Sequence, residues 1–248
     1  LLDSADNIPE ANKRACQAAS ARGIQIVLAS GRPKCGMVPY LEALELPRPA
    51  RYMISLNGGI IEDLKTGEKI ITGTLDYEDI LRLEKLKSFP NLYSHITTED
   101  SAYSTDNPLG RWTLYDLYET NTPLYPSTME DLKKVKTIKY TYTGDPKVMD
   151  AAWDYIPKEI HDNYNVCRSS KVFIDVMYAP VNKGAALEKL SEISGIKCEE
   201  IMAAGDAGND EGMLEVAGTS IAMGNASEQL KNIASQVTKT NAEAGVAY

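Results

Sequence analysis

Continuous apolar runs that end in glycine and polar residues characterise both ends of this chain. The runs at residues 24–29, 52–56 and 201–204 each predict a strand buried on both faces, as in a parallel sheet. Apolar positions at helical spacing predict helices between such runs, for example at residues 9–22 and 184–194. This alternation of strand and helix predicts an α/β architecture.

The middle of the chain has a different pattern. Short runs of alternating polar and apolar residues, such as 92–97 and 136–142, predict strands with one covered face, and helical stretches lie between them. We therefore predict an α/β core formed by residues 1–75 and 183–248, interrupted by an inserted α+β domain at residues 76–182.

Polar residues follow the apolar runs at the points where the strands should end. Asp206, Asn209 and Asp210 come directly after the run at residues 201–204, and Ser30-Gly31 follows the run at 24–29. The carboxyl ends of parallel strands form the ligand-binding edge of an open sheet. Two carboxylates and an amide are hard oxygen donors that suit Mg²⁺. The same residue types also form tight turns, so spacing alone leaves both interpretations open.

Lys183 stands at the predicted start of a helix. A cation there opposes the helix dipole, which favours a functional role over a solvated surface position. We also expect this lysine to carry little core packing, because it lies at the end of its element.

Composition and charge narrow the classes of partner. The net charge of −9 over 248 residues argues against a nucleic-acid partner, whereas a small anionic molecule needs only a few local cations. The four cysteines are scattered without metal-ligand spacing, which favours free thiols and a cytoplasmic location. No apolar stretch approaches the roughly 20 residues of a membrane span, so no membrane partner is expected. The sequence does not indicate an oligomeric state.

Three segments together resemble the motifs of the haloacid dehalogenase-like hydrolase superfamily: Ser30-Gly31, Lys183-Gly184 and the segment from Gly205 to Asp210. The chain is most similar to its Cof-type sugar-phosphate phosphatases, which carry a large α+β (C2-type) cap. The resemblance runs nearly end to end and includes Asn57-Gly58. It implies a Rossmann-like core with a parallel sheet, and transfer of a phosphoryl group to an Asp carboxylate.

The resemblance also implies roles for individual residues. Asp206 and Asp210 correspond to the Mg²⁺ site, and Lys183 and Ser30 to catalytic positions. The phosphate-binding positions are Ser30, Gly31, Lys183 and Asn209. Some further positions stay open between a site role and a structural role: Arg32, Asn57, Arg168, Asp175 and Tyr178. Neither His95 nor His161 is assigned to catalysis.

The family's first motif, Asp-x-Asp-Gly-Thr-Leu, does not occur in the 248 residues. Leu1-Leu2-Asp3 resembles the residues that follow it, so we expect the nucleophilic Asp upstream of Leu1, in a longer enzyme of which this sequence is a fragment. A natural non-enzyme that keeps a phosphate pocket is the other explanation. We expect a Mg²⁺-dependent phosphatase acting on small phosphorylated metabolites such as sugar phosphates. The alternatives are a phosphosugar mutase and a non-catalytic sugar-phosphate sensor.

Overall fold

The computed structural model describes residues 1–248 and contains ten α-helices and thirteen strands arranged in three sheets. The elements before the insertion are α1 (Glu10–Ala21), β1 (Leu28–Ala29), α2 (Val38–Ala43), β2 (Tyr52–Ser55), β3 (Ile60–Asp63) and β4 (Lys69–Ile71). Those after it are α8 (Lys183–Ser194), β11 (Met202–Gly205), α9 (Glu211–Val216), β12 (Thr219–Ala222), α10 (Glu228–Ile233) and β13 (Gln236–Val237). The predicted α/β core with an inserted cap is confirmed.

Two small sheets build the core. The first has the order β1-β2-β3-β4, with β1 and β2 parallel and the other neighbours antiparallel. The second is the parallel sheet β11-β12-β13. One buried apolar cluster joins both sheets to helix α8, since it contains Ile54 and Ile61 from the first sheet, Ala203 and Ala222 from the second, and Leu187. Core strands far apart in sequence therefore share one interior.

The expectation that the runs at 24–29 and 201–204 are buried on both faces is wrong. Only Leu28–Ala29 of the first run is a strand, and Ile24 is 57% exposed. In the second run the side chain of Met202 is 70% exposed. Exposed and buried residues alternate along β11, so one face of this strand is uncovered, and β12, which is paired on both sides, alternates in the same way. Both residues of β1 are half-buried.

The cap contains a six-stranded sheet of order β7-β6-β5-β8-β10-β9. Its elements are α3 (Tyr77–Glu84), β5 (Tyr93–Thr97), β6 (Ala102–Ser104), α4 (Arg111–Glu119), β7 (Leu124–Pro126), α5 (Met129–Leu132), β8 (Lys139–Thr143), α6 (Pro146–Tyr155), α7 (Lys158–Asn163), β9 (Tyr164–Arg168) and β10 (Phe173–Tyr178). The division at residues 76 and 182 stays a prediction, although every strand of this sheet lies between those positions.

The two faces of the cap sheet differ in chemistry. Ile96, Tyr140, Tyr142, Ile174 and Val176 form the apolar face, which packs in one cluster with α3 and α6. Successive residues of a strand point to opposite faces. We call the opposite side the polar face; it is formed by His95, Thr97, Lys139, Thr141 and Asp175, all of which are buried.

The chain passes between core and cap twice, after β4 and before α8. These two crossings pack against each other at Gly73, where an added Cβ would lie 2.7 Å from Tyr178 and 2.8 Å from Val181. A glycine is required at this close approach. None of the helices has the length and apolar character of a membrane-spanning segment.

Candidate active site

Lys183 begins helix α8 and is held in the interior. The side chain of Asn182 caps the helix by accepting a hydrogen bond from Ala185 N at 2.8 Å. Lys183 is only 4% exposed, and its Nζ donates to Asp210 Oδ1 at 2.6 Å. The expectation that this lysine carries little packing is therefore wrong: the helix start is buried against the loop that follows β11.

Both carboxylate oxygens of Asp210 accept hydrogen bonds from other groups of the protein. Its Oδ2 accepts hydrogen bonds from Asp206 N at 2.9 Å and Ala207 N at 3.2 Å, while Oδ1 accepts from Lys183. Burial alone would raise the pKa of Asp210, but the Lys183 ammonium and the two amides outweigh it, so this pKa lies below its usual value. Asp210 is consequently ionised and fixes the shape of the loop that carries Asp206.

Asp206 is exposed at the end of β11, unlike Asp210. Its Oδ2 accepts a hydrogen bond from Asn225 Nδ2 at 2.8 Å, and its Oδ1 makes none. Asp206 is thus the aspartate with an oxygen to spare for a ligand.

The donors at this loop fit Mg²⁺ better than a metal that needs several side chains. No group of three or more His, Cys, Asp or Glu side chains could hold a metal ion. The Oδ1 atom of Asn209 is buried and has no hydrogen-bond partner. One carboxylate with a spare oxygen and one unpaired amide oxygen suit an ion that binds few protein ligands and keeps its waters. The residues present therefore fit Mg²⁺.

The Ser30-Gly31 loop lies against Asn57. Ser30 O accepts a hydrogen bond from Asn57 N at 3.0 Å, and Ser30 Oγ accepts one from Arg32 N at 3.2 Å. A Cβ on Gly31 would lie 2.8 Å from Asn57 Oδ1, so no larger residue fits there without a shift. The loop after β1 is therefore packed onto the turn after β2.

Asn57 connects this loop to the other parts of the site. Its side-chain Oδ1 accepts from Asn209 Nδ2 at 2.8 Å, and its Nδ2 donates to Asp175 Oδ2 of the cap at 2.9 Å. From the sequence, Asn57 could be either a site residue or a turn residue. In the structure it is a turn residue, since Leu56, Asn57 and Gly58 have φ values of 51°, 56° and 97°, and its role in the site stays a prediction. A buried leucine in the left-handed region is strained, which is typical of functional sites.

The contacts of the remaining candidates from the sequence differ from one residue to the next. Arg32 is a structural clamp, with Nη2 3.2 Å from Asp6 Oδ1 and Nη1 donating to Glu119 O at 3.2 Å. Arg168 pairs with Asp150 at 2.6 Å, and Tyr178 is exposed. Of the cap candidates, Asp175 reaches the core loops through its side chain, and Arg168 lies beside Gly208 through its backbone carbonyl. Lys139, which the sequence did not single out, also reaches them, since its Nζ donates to Gly31 O at 3.2 Å.

The structure thus brings the predicted residues into two connected groups. One contains Lys183, Asp210 and Asp206, and the other contains Ser30-Gly31, which Asn57 links to Asn209. Their catalytic, phosphate-binding and metal-binding roles stay predictions.

Comparisons with known proteins agree with this arrangement. The family model described as haloacid dehalogenase-like hydrolase matches residues 1–248. A Streptococcus pyogenes serotype M6 protein named "Putative phosphatase" is 34% identical over 235 residues, which cover 95% of this chain and 87% of the relative. The 5-amino-6-(5-phospho-D-ribitylamino)uracil phosphatase YwtE of Bacillus subtilis is 30% identical over 271 residues, covering 100% of this chain and 92% of its own. The crystal structure of a haloacid dehalogenase-like hydrolase from Bacteroides thetaiotaomicron superposes with a TM-score of 0.84 at 27% identity, covering 100% of this chain and 93% of that one.

Proposed function

The chain belongs to the haloacid dehalogenase-like hydrolase family, and from that premise we propose that it is a Mg²⁺-dependent phosphomonoester hydrolase of small phosphorylated metabolites, with sugar phosphates as the preferred class. The observation that carries the proposal is the buried Lys183–Asp210 pair, which holds the loop of Asp206 next to the Asn57 and Ser30-Gly31 loops. A buried ammonium beside an exposed carboxylate suits a site that must bind a phosphate dianion and a metal together.

Each residue of the site would have a distinct task. Lys183 would contact the phosphate and the nucleophile, and the Ser30 hydroxyl and the Gly31 amide would donate to phosphate oxygens. Asn209 would donate to the phosphate or support the metal. Asp206 would hold Mg²⁺, with Asp210 fixing the loop behind it. When bound, the ion neutralises charge on the phosphoryl oxygens, which lets two anions approach each other.

The nucleophile of this proposal is an Asp carboxylate upstream of Leu1. Its oxygen would attack phosphorus, the bond to the leaving-group oxygen would break, and water would then hydrolyse the aspartyl phosphate. The edges of β1 and β11 that are unpaired on one side support this placement, since a further strand could pair there. The cytoplasmic location remains a prediction from the cysteine pattern.

The test uses the N-terminally extended protein, which includes the residues encoded directly upstream of Leu1. Release of inorganic phosphate is measured over a panel of sugar phosphates and p-nitrophenyl phosphate, with Mg²⁺ and with EDTA. We expect turnover only with the metal, so full turnover in chelator refutes the metal assignment. Isomerised sugar phosphate without phosphate release would indicate a mutase instead. Binding without either product would indicate a sensor.

A further inference from the structure

A cavity of about 450 Å³ lies between the core and the cap, and none of the predicted catalytic, phosphate-binding or metal-binding residues lines it. One face of the sheet β1-β2-β3-β4 forms its floor, through Ser55, Ile60, Glu62 and Lys69. The segment at residues 34–39 contributes a wall, and the cap contributes Glu99-Asp100 from the connection between β5 and β6. Sites for small molecules typically have volumes of about 300–1,000 Å³, so this cavity is large enough to hold one.

Two buried polar side chains on this floor have oxygens that the protein does not use. Ser55 is 3% exposed, and its hydroxyl makes no hydrogen bond within the protein although it reaches the cavity surface. Glu62 is 4% exposed; its Oε1 accepts a hydrogen bond from Lys34 Nζ, and its Oε2 accepts none. Buried polar groups are normally hydrogen-bonded, and a buried carboxylate is costly without partners. Both oxygens are therefore placed to accept from a donor group in the cavity.

Charges of both signs surround these oxygens. Lys69 stands directly opposite Glu62 in the antiparallel register of β3 and β4, so the two side chains share a face, with Cβ atoms about 5 Å apart. Lys34 pairs with Glu62, and Lys69 pairs with Glu99 of the cap. Ammonium and carboxylate groups thus alternate across the cavity. A ligand that matches them needs one cationic and one anionic group close together.

We propose that this cavity binds a free α-amino acid with an aliphatic side chain. The ammonium group of the ligand would donate to Glu62 Oε2 and to the Ser55 hydroxyl, and its carboxylate would accept from Lys69. Both groups of an α-amino acid are attached to one carbon, which matches the adjacent positions of Glu62 and Lys69. Because Lys69 is also paired with Glu99, the bound amino acid would connect the core to the cap.

The rest of the lining favours an aliphatic side chain on this amino acid. Val38, Pro39 and Ile60 form an apolar part of the cavity surface, and burying a hydrocarbon side chain there is favourable. An acidic side chain would instead face three carboxylates of the lining against two ammonium groups. A simple amine or a simple carboxylate would leave one of the two signs of charge unmatched.

Isothermal titration calorimetry on the N-terminally extended protein tests the charge requirement. The tightest binder among L-valine, L-leucine and L-isoleucine is compared with the amine that lacks its carboxylate and the acid that lacks its amino group. For leucine these are 3-methylbutylamine and 4-methylpentanoate. We expect the amino acid to bind at least about 10-fold more tightly than either analogue, since each analogue loses hydrogen bonds between charged groups. No binding of any of the three amino acids at about 10 mM, or equal affinity for the amine, overturns the inference.

Variants then assign the binding to the cavity floor. Glu62→Gln should weaken binding of the amino acid about 10-fold or more, and Ser55→Ala about 3- to 10-fold. Asp63→Asn is the matched control, because Asp63 is the next residue of β3, points to the other face of the sheet and pairs with Arg51 at 3.1 Å. It should leave the affinity unchanged. Circular dichroism checks the fold of each variant, and Ser55→Ala, which removes only one hydroxyl, keeps the test decisive if Glu62→Gln does not fold.

Cysteine labelling gives an independent readout of where the amino acid binds. Cys35 lines the same cavity, whereas Cys198 does not, and both are partly exposed. A saturating amino acid should slow the alkylation of Cys35 by iodoacetamide, followed by mass spectrometry, and leave that of Cys198 unchanged. An unchanged rate at Cys35 together with full affinity in Glu62→Gln would place the bound amino acid elsewhere and overturn the inference. Binding is measured without turnover, so its outcome is independent of the proposed phosphatase function.

Discussion

Replacing Lys183 by Met should destabilise the protein strongly as well as impair catalysis. The substitution keeps most of the side-chain volume and removes the charge that faces Asp210 at 2.6 Å. The side chains of the pair are 5% and 8% exposed, so water cannot replace the lost ammonium. Removing one partner of a buried ion pair leaves an uncompensated charge and typically costs about 3–5 kcal/mol. We expect a loss of that size in the free energy of unfolding at pH 7.

The loss should depend on pH in a defined direction. In the unaltered protein the folded-state pKa of Asp210 is lowered, so its contribution is present above the unfolded pKa of about 3.9 and disappears as pH falls through the folded value. Without Lys183, burial acts against fewer opposing interactions, and the pKa of Asp210 rises. The difference in stability between the two proteins should therefore shrink as pH falls through the pKa of the variant.

Urea unfolding followed by circular dichroism at pH 7 and pH 5 measures both effects. Lys189→Met is the matched control, because Lys189 belongs to the same helix and makes a surface pair with Glu192 at 2.7 Å. It should change the unfolding free energy by less than about 0.5 kcal/mol. The double variant Lys183→Met/Asp210→Asn should recover at least about 1 kcal/mol, since it buries no charge. A loss below about 1 kcal/mol for Lys183→Met, or no recovery in the double variant, would refute the reasoning.

Three further outcomes follow from the same structure. In the extended protein, Asp206→Asn should raise the Mg²⁺ concentration for half-maximal activity about 10-fold or more, as a Mg²⁺ titration would show. Gly58→Ala should cost at least about 2 kcal/mol in thermal unfolding, because Gly58 has φ +97° and its Cβ would overlap the carbonyl of Asn182. Gly67→Ala, with φ +76° and open space around it, should cost only about 1 kcal/mol. The chain that starts at Leu1 should release no phosphate, whereas the extended protein should; turnover by the shorter chain would move the nucleophile to Asp3 or Asp6.

The sequence was sufficient to predict the α/β core, the inserted cap and the grouping of Lys183, Asp206 and Asp210. Those residues stand at strand and helix ends, where local pattern and chemistry coincide. The contact between Lys139 and Asp175 was harder to predict, because it depends on the register of β8 and β10, two strands that are distant in sequence. No feature of the sequence predicts the strained backbone of Leu56, since leucine has no preference for that conformation.

The burial of the edge strands was predicted wrongly for a related reason. An apolar run such as residues 201–204 predicts a covered strand, but hydropathy does not show whether other elements pack on both faces of it. Met202 is exposed because it lies on the uncovered face of β11.

The paired crossings at Gly73 have a mechanical consequence for the cap. A single flexible linker would let the cap swivel in any direction, whereas two tethers in contact confine it to rotation about the line on which they lie. The Lys139–Gly31 and Asp175–Asn57 hydrogen bonds both join the cap to the core. A rotation of the cap about this single axis must therefore break both together. The cap should therefore move between an open and a shut position, with both bonds made or neither.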